Sequence, residues 1–345
     1  MKVGILGTGA IANKHAEAYR NIGFELVACW NRTEARGREF AQRWGAEFIS
    51  DYRNLCGYPG LGFVDVCTFP DWHLEAVEAC AEANRPVQVQ KPIATNLEAA
   101  RQIIEVARAA GIPLGVASQH RFDDATIFLK RALAAGRLGK LLQADAYVKW
   151  WRSEEYYSRP IKGSWQTEGG GALINQAIHQ IDLLLYLAGP LAAVAGIWQL
   201  GARHKIESED IVNALLQYRS GATGVIQAAT AFWPGYSERV ELHGTKGAAI
   251  ITGDRLTQWD VLDDEEANAA DPAPVAQNVS SGSSEPMAIA VTSFERQFVD
   301  FAEAIRSGRK PLVDGEEGYR ALEAVLGVYQ SCKEHRWIEL DGSGK

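Results

Sequence analysis

No run of eighteen apolar residues occurs in the 345-residue chain. A membrane-spanning helix needs about that many, so none is expected. The five cysteines (Cys29, Cys56, Cys67, Cys80 and Cys332) form no C-x-x-C pair and are odd in number. That excludes a zinc ribbon and a disulfide framework. It predicts reduced thiols, packed as small hydrophobes, in a cytoplasmic protein. Basic residues are in deficit, 35 Lys and Arg against 43 Asp and Glu, for a net charge of -8. A nucleic-acid partner is not expected on that balance. The N-terminus has one Lys before a Gly-punctuated apolar run, without the apolar core and cleavage site of a secretory leader. Internal repeats are absent, and no metal site is expected.

What is present is an ordinary globular composition, 47% hydrophobic and 23% charged. The length exceeds what one core usually supports, so two domains are expected. Ten tryptophans is a high count. Aromatic faces line ring-substrate sites, although core and subunit contacts take most such residues.

The stretch Lys2-Val-Gly-Ile-Leu-Gly-Thr-Gly-Ala-Ile-Ala12 sets the reading of the first half. Val3, Ile5 and Leu6 make an apolar strand, Gly7-Thr8-Gly9 a turn, and Ala10 to Arg20 a helical pattern. Gly7 permits the tight turn, Gly9 lets a phosphate approach the backbone, and Ala12 takes the third glycine position. Free N–H groups at Ala10 and Ile11, with the positive helix end, then face an anion. This predicts a dinucleotide site. A second strand, Phe24–Trp30, ends at Asn31-Arg32, where such sites usually place an acid on the ribose. Here Asn31 would bond a hydroxyl and Arg32 a 2'-phosphate, which favours NADP over NAD; Arg32 as a plain surface charge is the competing reading.

Further on, Thr33–Trp44 reads as a helix capped by Thr33, and Phe63–Phe69 as a strand. Thr68 and the loop Pro70-Asp71-Trp72-His73 close that strand and should border the cofactor. His73 serves equally as a cap for helix Leu74–Ala83. Strand Pro86–Gln90 closes on Lys91-Pro92, and Thr95…Glu98 forms a capping box before a helix to Ala110. With strand Leu114–Ser118 the alternation predicts a parallel α/β sheet. After a helix from Asp124 to Ala135 the pattern changes. Strands Leu141–Trp151, Asp210–Tyr218, Gly224–Phe232, Ser237–Gly244 and Ala248–Thr252 predict an antiparallel sheet and an α+β domain. Asp263–Pro286, acidic and rich in Ala, Ser and Pro, reads as a mobile surface loop. Helices Phe294–Ser307 and Glu316–Lys333 and a short strand Trp337–Leu340 complete the chain.

Two places carry chemistry. Lys91 ends a strand before a proline that holds it extended. A nearby nicotinamide cation would lower its proton affinity and let it move a substrate proton; an ordinary surface lysine is the alternative. The second is Gly169-Gly-Gly…Gly189-Pro190, glycines opening a helix and Gly-Pro ending it. Asn175 and His179 are i and i+4, with Asp182 one turn on, so the three should share a face. A buried structural histidine and a proton acceptor fit that spacing equally.

In order and spacing, the Gly-Thr-Gly-Ala-Ile-Ala loop, Pro70–His73, Val89-Gln-Lys-Pro92 and Gly-Gly-Gly-x-Leu-x-Asn-x-x-x-His-x-x-Asp resemble the Gfo/Idh/MocA oxidoreductases over nearly the whole length. The resemblance implies an N-terminal Rossmann domain (residues 1–120) and a C-terminal α+β domain with a large open, mostly antiparallel sheet (residues 121–345). Part of the C-terminal helix would pack back on the first. It implies an NAD(P)-dependent dehydrogenase or reductase acting on CH–OH groups of a sugar, sugar derivative or cyclic polyol, paired into dimers or tetramers through that sheet. Lys91 matches the lysine of the family's Glu-Lys-Pro motif and His179 its catalytic histidine. Asn175 replaces a common Asp, and Gln90 replaces the motif's Glu, leaving the ammonium of Lys91 less stabilised. Lys91, Arg121, Trp165, Asn175 and His179 are expected around the substrate; Gln90 and Lys91 join the cofactor set. The family also contains NAD-dependent glycosidases without net redox change, and a silent NAD(P)-binding regulator is a third reading.

Overall fold

The computed structural model describes residues 1–159, 161–262, 283 and 290–342. Of the expected loop Asp263–Pro286 only Ser283 is among them. The described residues divide into two compact units, Met1–Gln119 with Ala290–Tyr319, and the remainder from His120.

The first unit is built on six parallel strands: β1 (Lys2–Leu6), β2 (Glu25–Trp30), β3 (Glu47–Phe48), β4 (Phe63–Val66), β5 (Val87–Val89) and β6 (Leu114–Val116). Their order, β3-β2-β1-β4-β5-β6, is that of a doubly wound dinucleotide-binding sheet. Val3, Ile5, Leu6, Phe63, Val64 and Val66 are fully buried, because a parallel sheet is covered on both faces and reads as unbroken apolar runs. Helix Thr292–Ser307 adds Phe294, Phe298 and Phe301 to this core. Its Gln297 accepts from the Ser118 N–H (3.1 Å) and donates to the Val116 carbonyl (2.8 Å), satisfying the free edge beyond β6. The expected box at Thr95 begins one residue later. Asn96 is the cap, and its Oδ1 accepts from Ala99 N at 2.9 Å, in keeping with the stronger capping of Asn. Thr33 occupies the expected cap position but its side chain makes no capping bond.

The second unit carries eight strands: β7 (Leu141–Lys149), β8 (Leu191–Leu200), β9 (Glu209–Tyr218), β10 (Thr223–Ala229), β11 (Arg239–Gly244), β12 (Gly247–Thr252), β13 (Arg255–Val261) and β14 (Ile338–Glu339). The order is β13-β12-β11-β7-β10-β9-β8-β14. All pairs are antiparallel except β7 with β10. The parallel pair needs a long crossover, and helix Ile178–Ala188 lies within it. β8 and β13 were not expected. β8 is rich in Ala and Gly, which strands usually avoid, yet a Cβ on Gly196 would stand 2.9 Å from Val328 Cγ1, so close packing dictates the small residue. One sheet face carries the helices. The other leaves Ile197 and Leu215 exposed, with Ile211 and Val225 half-buried. Among the described residues no helix is long and apolar enough to cross a membrane.

Candidate active site

In the first unit the groups expected to hold a dinucleotide all sit at carboxyl ends of strands, where the strand order reverses around β1 and β4. Gly7 has φ +91, and a Cβ there would lie 2.9 Å from the backbone of Cys67. Gly9 differs: a Cβ would meet nothing within 4 Å. Packing therefore requires glycine at 7. At 9 the protein itself makes no such demand, and the space is left for a ligand. Gly9 caps the helix Ala10–Asn21 without a side chain, no acid stands in its first turn, and Ala10 and Ile11 present free amides. The hydroxyls of Thr8 and Thr68 are buried with no hydrogen-bond partner among the described residues. Open space, orphan hydroxyls and a bare helix N-terminus fit a dinucleotide pyrophosphate.

Asn31 has a task that sequence reasoning missed. Its Oδ1 accepts from Thr8 N at 3.2 Å and its Nδ2 donates to the Thr33 carbonyl at 2.9 Å, tying the glycine turn to the end of β2. Arg32 is exposed. Asp71 faces it from the turn that opens at Pro70. Burial raises the Asp71 carboxyl, and the charge of Arg32 pulls it back down. An acid thus stands near Arg32 on the loop after β4.

His73 is corrected. It is fully buried, begins helix His73–Glu82 and does not cap it, and presents no surface to a cofactor. Its Nδ1 is 3.0 Å from the Ile93 carbonyl and Nε2 3.3 Å from that of Thr68. Burial pushes it down to about 4, against the pull of those carbonyls, so the ring is neutral. It fastens two strand-end turns together.

Lys91 is half-buried and precedes a cis Pro92. Behind it lies a buried polar chain. Tyr19 donates to Asp65 Oδ2 at 2.7 Å, His15 Nδ1 lies 2.7 Å from the same oxygen, and His15 Nε2 is 2.9 Å from Gln90 Nε2. Burial and the Asp65 carboxylate push both the Tyr19 phenol and the Cys67 thiol well up. With Nδ1–H given to Asp65, His15 offers a lone pair at Nε2, and an amide at position 90 can donate to it. A glutamate there would set a carboxylate against that lone pair. This gives a physical reason for Gln90. His15, Asp65 and Cys67 also bring N, O and S within 4.8 Å of one another. The short hydrogen bonds converge on Asp65 Oδ2, where a cation would have to displace their protons, while Asp65 Oδ1 is buried with no partner among the described residues.

In the second unit the glycine-opened helix begins with a turn of π geometry, Leu173–Ala177, and continues as Ile178–Ala188. Its start is anchored by Glu209, fully buried at the beginning of β9. Glu209 accepts from Gly171 N and Leu173 N, both at 2.8 Å, and from Tyr329 OH at 2.6 Å. A Cβ on Gly171 would overlap the Glu209 carbonyl oxygen, and one on Gly170 the Tyr329 hydroxyl. These two glycines let the helix start against that strand.

Asn175 and His179 are half-buried, while Asp182 is buried. Asp182 follows His179 by three residues in the regular helix and points inward. Arg121 is corrected. It is 2% exposed and forks onto Asp182, Nε to Oδ2 at 2.8 Å and Nη2 to Oδ1 at 2.6 Å, its guanidinium 4.7 Å from the centre of the Tyr186 ring. Its fork is spent inside the unit and not on a substrate. Trp165 donates its backbone N–H to Glu207 Oε1 (2.7 Å) and its indole N–H to the Glu207 carbonyl (3.1 Å), and packs on Tyr329 and Trp198. One edge of that indole is committed to the protein.

His120 was missed. Its Nδ1 lies 2.8 Å from Asp123 Oδ2, and its ring meets His179 edge to face with centroids 5.2 Å apart. Burial is the largest single influence and opposes its charge, but Asp123, Glu238 and Asp254 together overcome it and push the imidazole up to about 9. The only local signal was a His and an Asp three apart, ahead of helix Asp124–Ala134.

Two family models match the chain. One describes an oxidoreductase family with an NAD-binding Rossmann fold, over residues 1–118, and the other the GFO/IDH/MocA C-terminal domain, over residues 127–250. Myo-inositol 2-dehydrogenase of Thermotoga maritima is 27% identical over 99% of each chain. The 1,5-anhydro-D-fructose reductase of Ensifer adhaerens is 27% identical over 98% of each. Among solved structures, the WlbA dehydrogenase of Bordetella pertussis, in complex with NADH and UDP-GlcNAcA, shares 26% identity over 98% of each chain with a TM-score of 0.84.

Proposed function

The chain belongs to the Gfo/Idh/MocA family of NAD(P)-dependent oxidoreductases, and from that premise we propose a specific substrate class and site. The substrate is a sugar, sugar derivative or cyclic polyol, changed at a ring hydroxyl or carbonyl. The names of its relatives support this class, from inositol to anhydrofructose. A bound nicotinamide supplies the hydride acceptor or donor. His179, with Lys91, takes the hydroxyl proton during oxidation and returns it during reduction. Asn175 has no proton to trade at neutral pH, so it holds a substrate hydroxyl. One observation carries the reading: Asn175 and His179 are half-buried polar residues one turn apart on a helix whose start Glu209 pins.

The test is a panel of sugars and polyols followed at the nicotinamide absorbance, with NAD and NADP in parallel. Lys91→Ala and His179→Ala should each lower kcat by about 10²-fold or more, the usual weight of a positioned acid or base, with cofactor affinity retained in His179→Ala. Full turnover in both variants would overturn the assignment. Arg32 should make NADP the better cofactor by kcat/KM; a preference for NAD would assign the ribose to Asp71.

Two further readings accompany this one. The exposed Ile197 and Leu215, beside Ile211 and Val225 on the open sheet face, pair subunits into a dimer or tetramer. A monomeric mass from sedimentation at micromolar concentration would sink that. The five cysteines are buried and unpaired, with Cys56 and Cys80 Sγ 3.5 Å apart, which suits the reducing cytoplasm.

A further inference from the structure

We propose that the buried His15, held by Asp65, fixes the side-chain amide of Gln90 with its nitrogen inward, so that the amide oxygen is the end offered to the dinucleotide. The inference rests on the reading that the strand-end turn at Gln90 borders the cofactor, and adds the buried residues that set the polarity of that turn.

The geometry lies within the first unit. His15 stands on the helix Ala10–Asn21, Asp65 on β4, and Gln90 follows β5. The backbone of Gln90 is already tied down, its N–H donating to the Val66 carbonyl at 3.0 Å. What is left to set is the direction of its amide. His15 and Asp65 are 0% exposed and Gln90 8%. Phe294 and Phe298 pack on the imidazole, with ring centroids 5.0 and 4.9 Å away. The two ring nitrogens face Asp65 Oδ2 at 2.7 Å and Gln90 Nε2 at 2.9 Å.

The direction of the hydrogen bonds is forced from the Asp65 end. A carboxylate oxygen offers lone pairs only. Tyr19 donates to Asp65 Oδ2, and the Cys67 thiol lies 3.6 Å from it. Burial first, then the carboxylate, push both groups well up, so both keep their protons and remain donors. His15 Nδ1 must likewise bring a proton. A second ring proton at Nε2 would set two donors against each other across 2.9 Å. The ring therefore presents a lone pair there, and of the two ends of an amide only the NH2 can meet it. The oxygen of Gln90 is the remaining arm, an acceptor for a hydrogen-bond donor of the cofactor. His15 and Asp65 act through Gln90 and are positioning residues.

The first measurement needs no activity. Nitrogen NMR of the full chain without cofactor should show the His15 ring, assigned through its backbone, protonated at Nδ1 and bare at Nε2. A proton on Nε2 overturns the proposal. The second is the dissociation constant of NADH and of NADPH, read by quenching of tryptophan fluorescence. His15→Leu, which frees the amide to turn, and Gln90→Met, which removes it, should each weaken the better cofactor about tenfold, the weight of one hydrogen bond. The double variant should be no weaker than either single one, because both remove the same contact. His15→Gln, whose carbonyl oxygen can stand in for the Nε2 lone pair, should recover most of the loss. Unchanged affinity in Gln90→Met overturns the proposal, and so do losses that add in the double variant, since those are separate packing defects. Should His15→Leu fold poorly, the ring nitrogens of the unaltered chain and the affinity of Gln90→Met decide. Binding of neither cofactor to the unaltered chain sinks the premise and the inference together. Full turnover in His179→Ala sinks the acid-base reading and leaves these affinities where they are.

Discussion

Asp182→Ala should destabilise the second unit by about 3–5 kcal/mol, the range for removing one partner of a buried ion pair. Arg121 cannot respond by losing its proton, because a guanidinium stays charged in any protein setting. It is 2% exposed, and both arms of its fork end on Asp182. Deleting the carboxylate removes both of these hydrogen bonds and the opposite charge from a buried cation. Asp182→Asn should cost less, because one oxygen still accepts. Replacing both members by apolar residues of similar volume should cost less than Asp182→Ala alone, since desolvation of the pair is then relieved. Urea unfolding followed on the three variants checks the ranking. A loss below about 1 kcal/mol for Asp182→Ala, the range of an exposed pair, would show that Arg121 reaches solvent or another acceptor.

How much of this was legible depends on sequence distance. The glycine turn, its strand and its helix lie within twenty residues, and their order in the chain is their order in space. The parallel alternation of the first unit followed for the same reason. β8 escaped because Ala and Gly carry little strand preference, and its conformation comes from packing on Val328. The π turn at Leu173–Ala177 has no residue signature of its own. Arg121 was expected around the substrate. The acid that claims it lies 61 residues away. Distances of 50 and 75 residues separate His15 from Asp65 and from Gln90. No local pattern could have joined them, although the unusual Gln at position 90 was visible and marked where to look.

Gly171→Ala is the second substitution with a large expected effect. A Cβ at Gly171 would overlap the Glu209 carbonyl and stand 2.8 Å from Ser208 Oγ. The Ser208 hydroxyl could rotate away, but the Glu209 backbone cannot, so the helix start must move off β9. That movement breaks the hydrogen bonds from Gly171 N and Leu173 N to Glu209 and exposes a buried carboxyl to partial pairing. The combined cost is about 3 kcal/mol or more, overpacking plus an unsatisfied buried group. Turnover should fall further than stability alone explains, since Asn175 and His179 ride on the same helix. Glu209 supplies an independent check through pH. Burial raises its carboxyl from 4.5 to about 7, against the opposing pull of Tyr329 and the amides of Leu173 and Gly171. A raised acid means that the folded state holds a proton the unfolded chain has released. Its contribution is therefore complete below about pH 4.5 and is lost as pH climbs through about 7. The change is on the order of 3 kcal/mol across that window. Glu209→Gln, which cannot titrate, should flatten this segment of the stability profile, while Gly171→Ala, by loosening the cage around the carboxyl, should shrink it. Unfolding midpoints taken from pH 4 to 8 read both effects, and an unchanged slope in Glu209→Gln would mean that the carboxylate is held ionised by its three donors throughout.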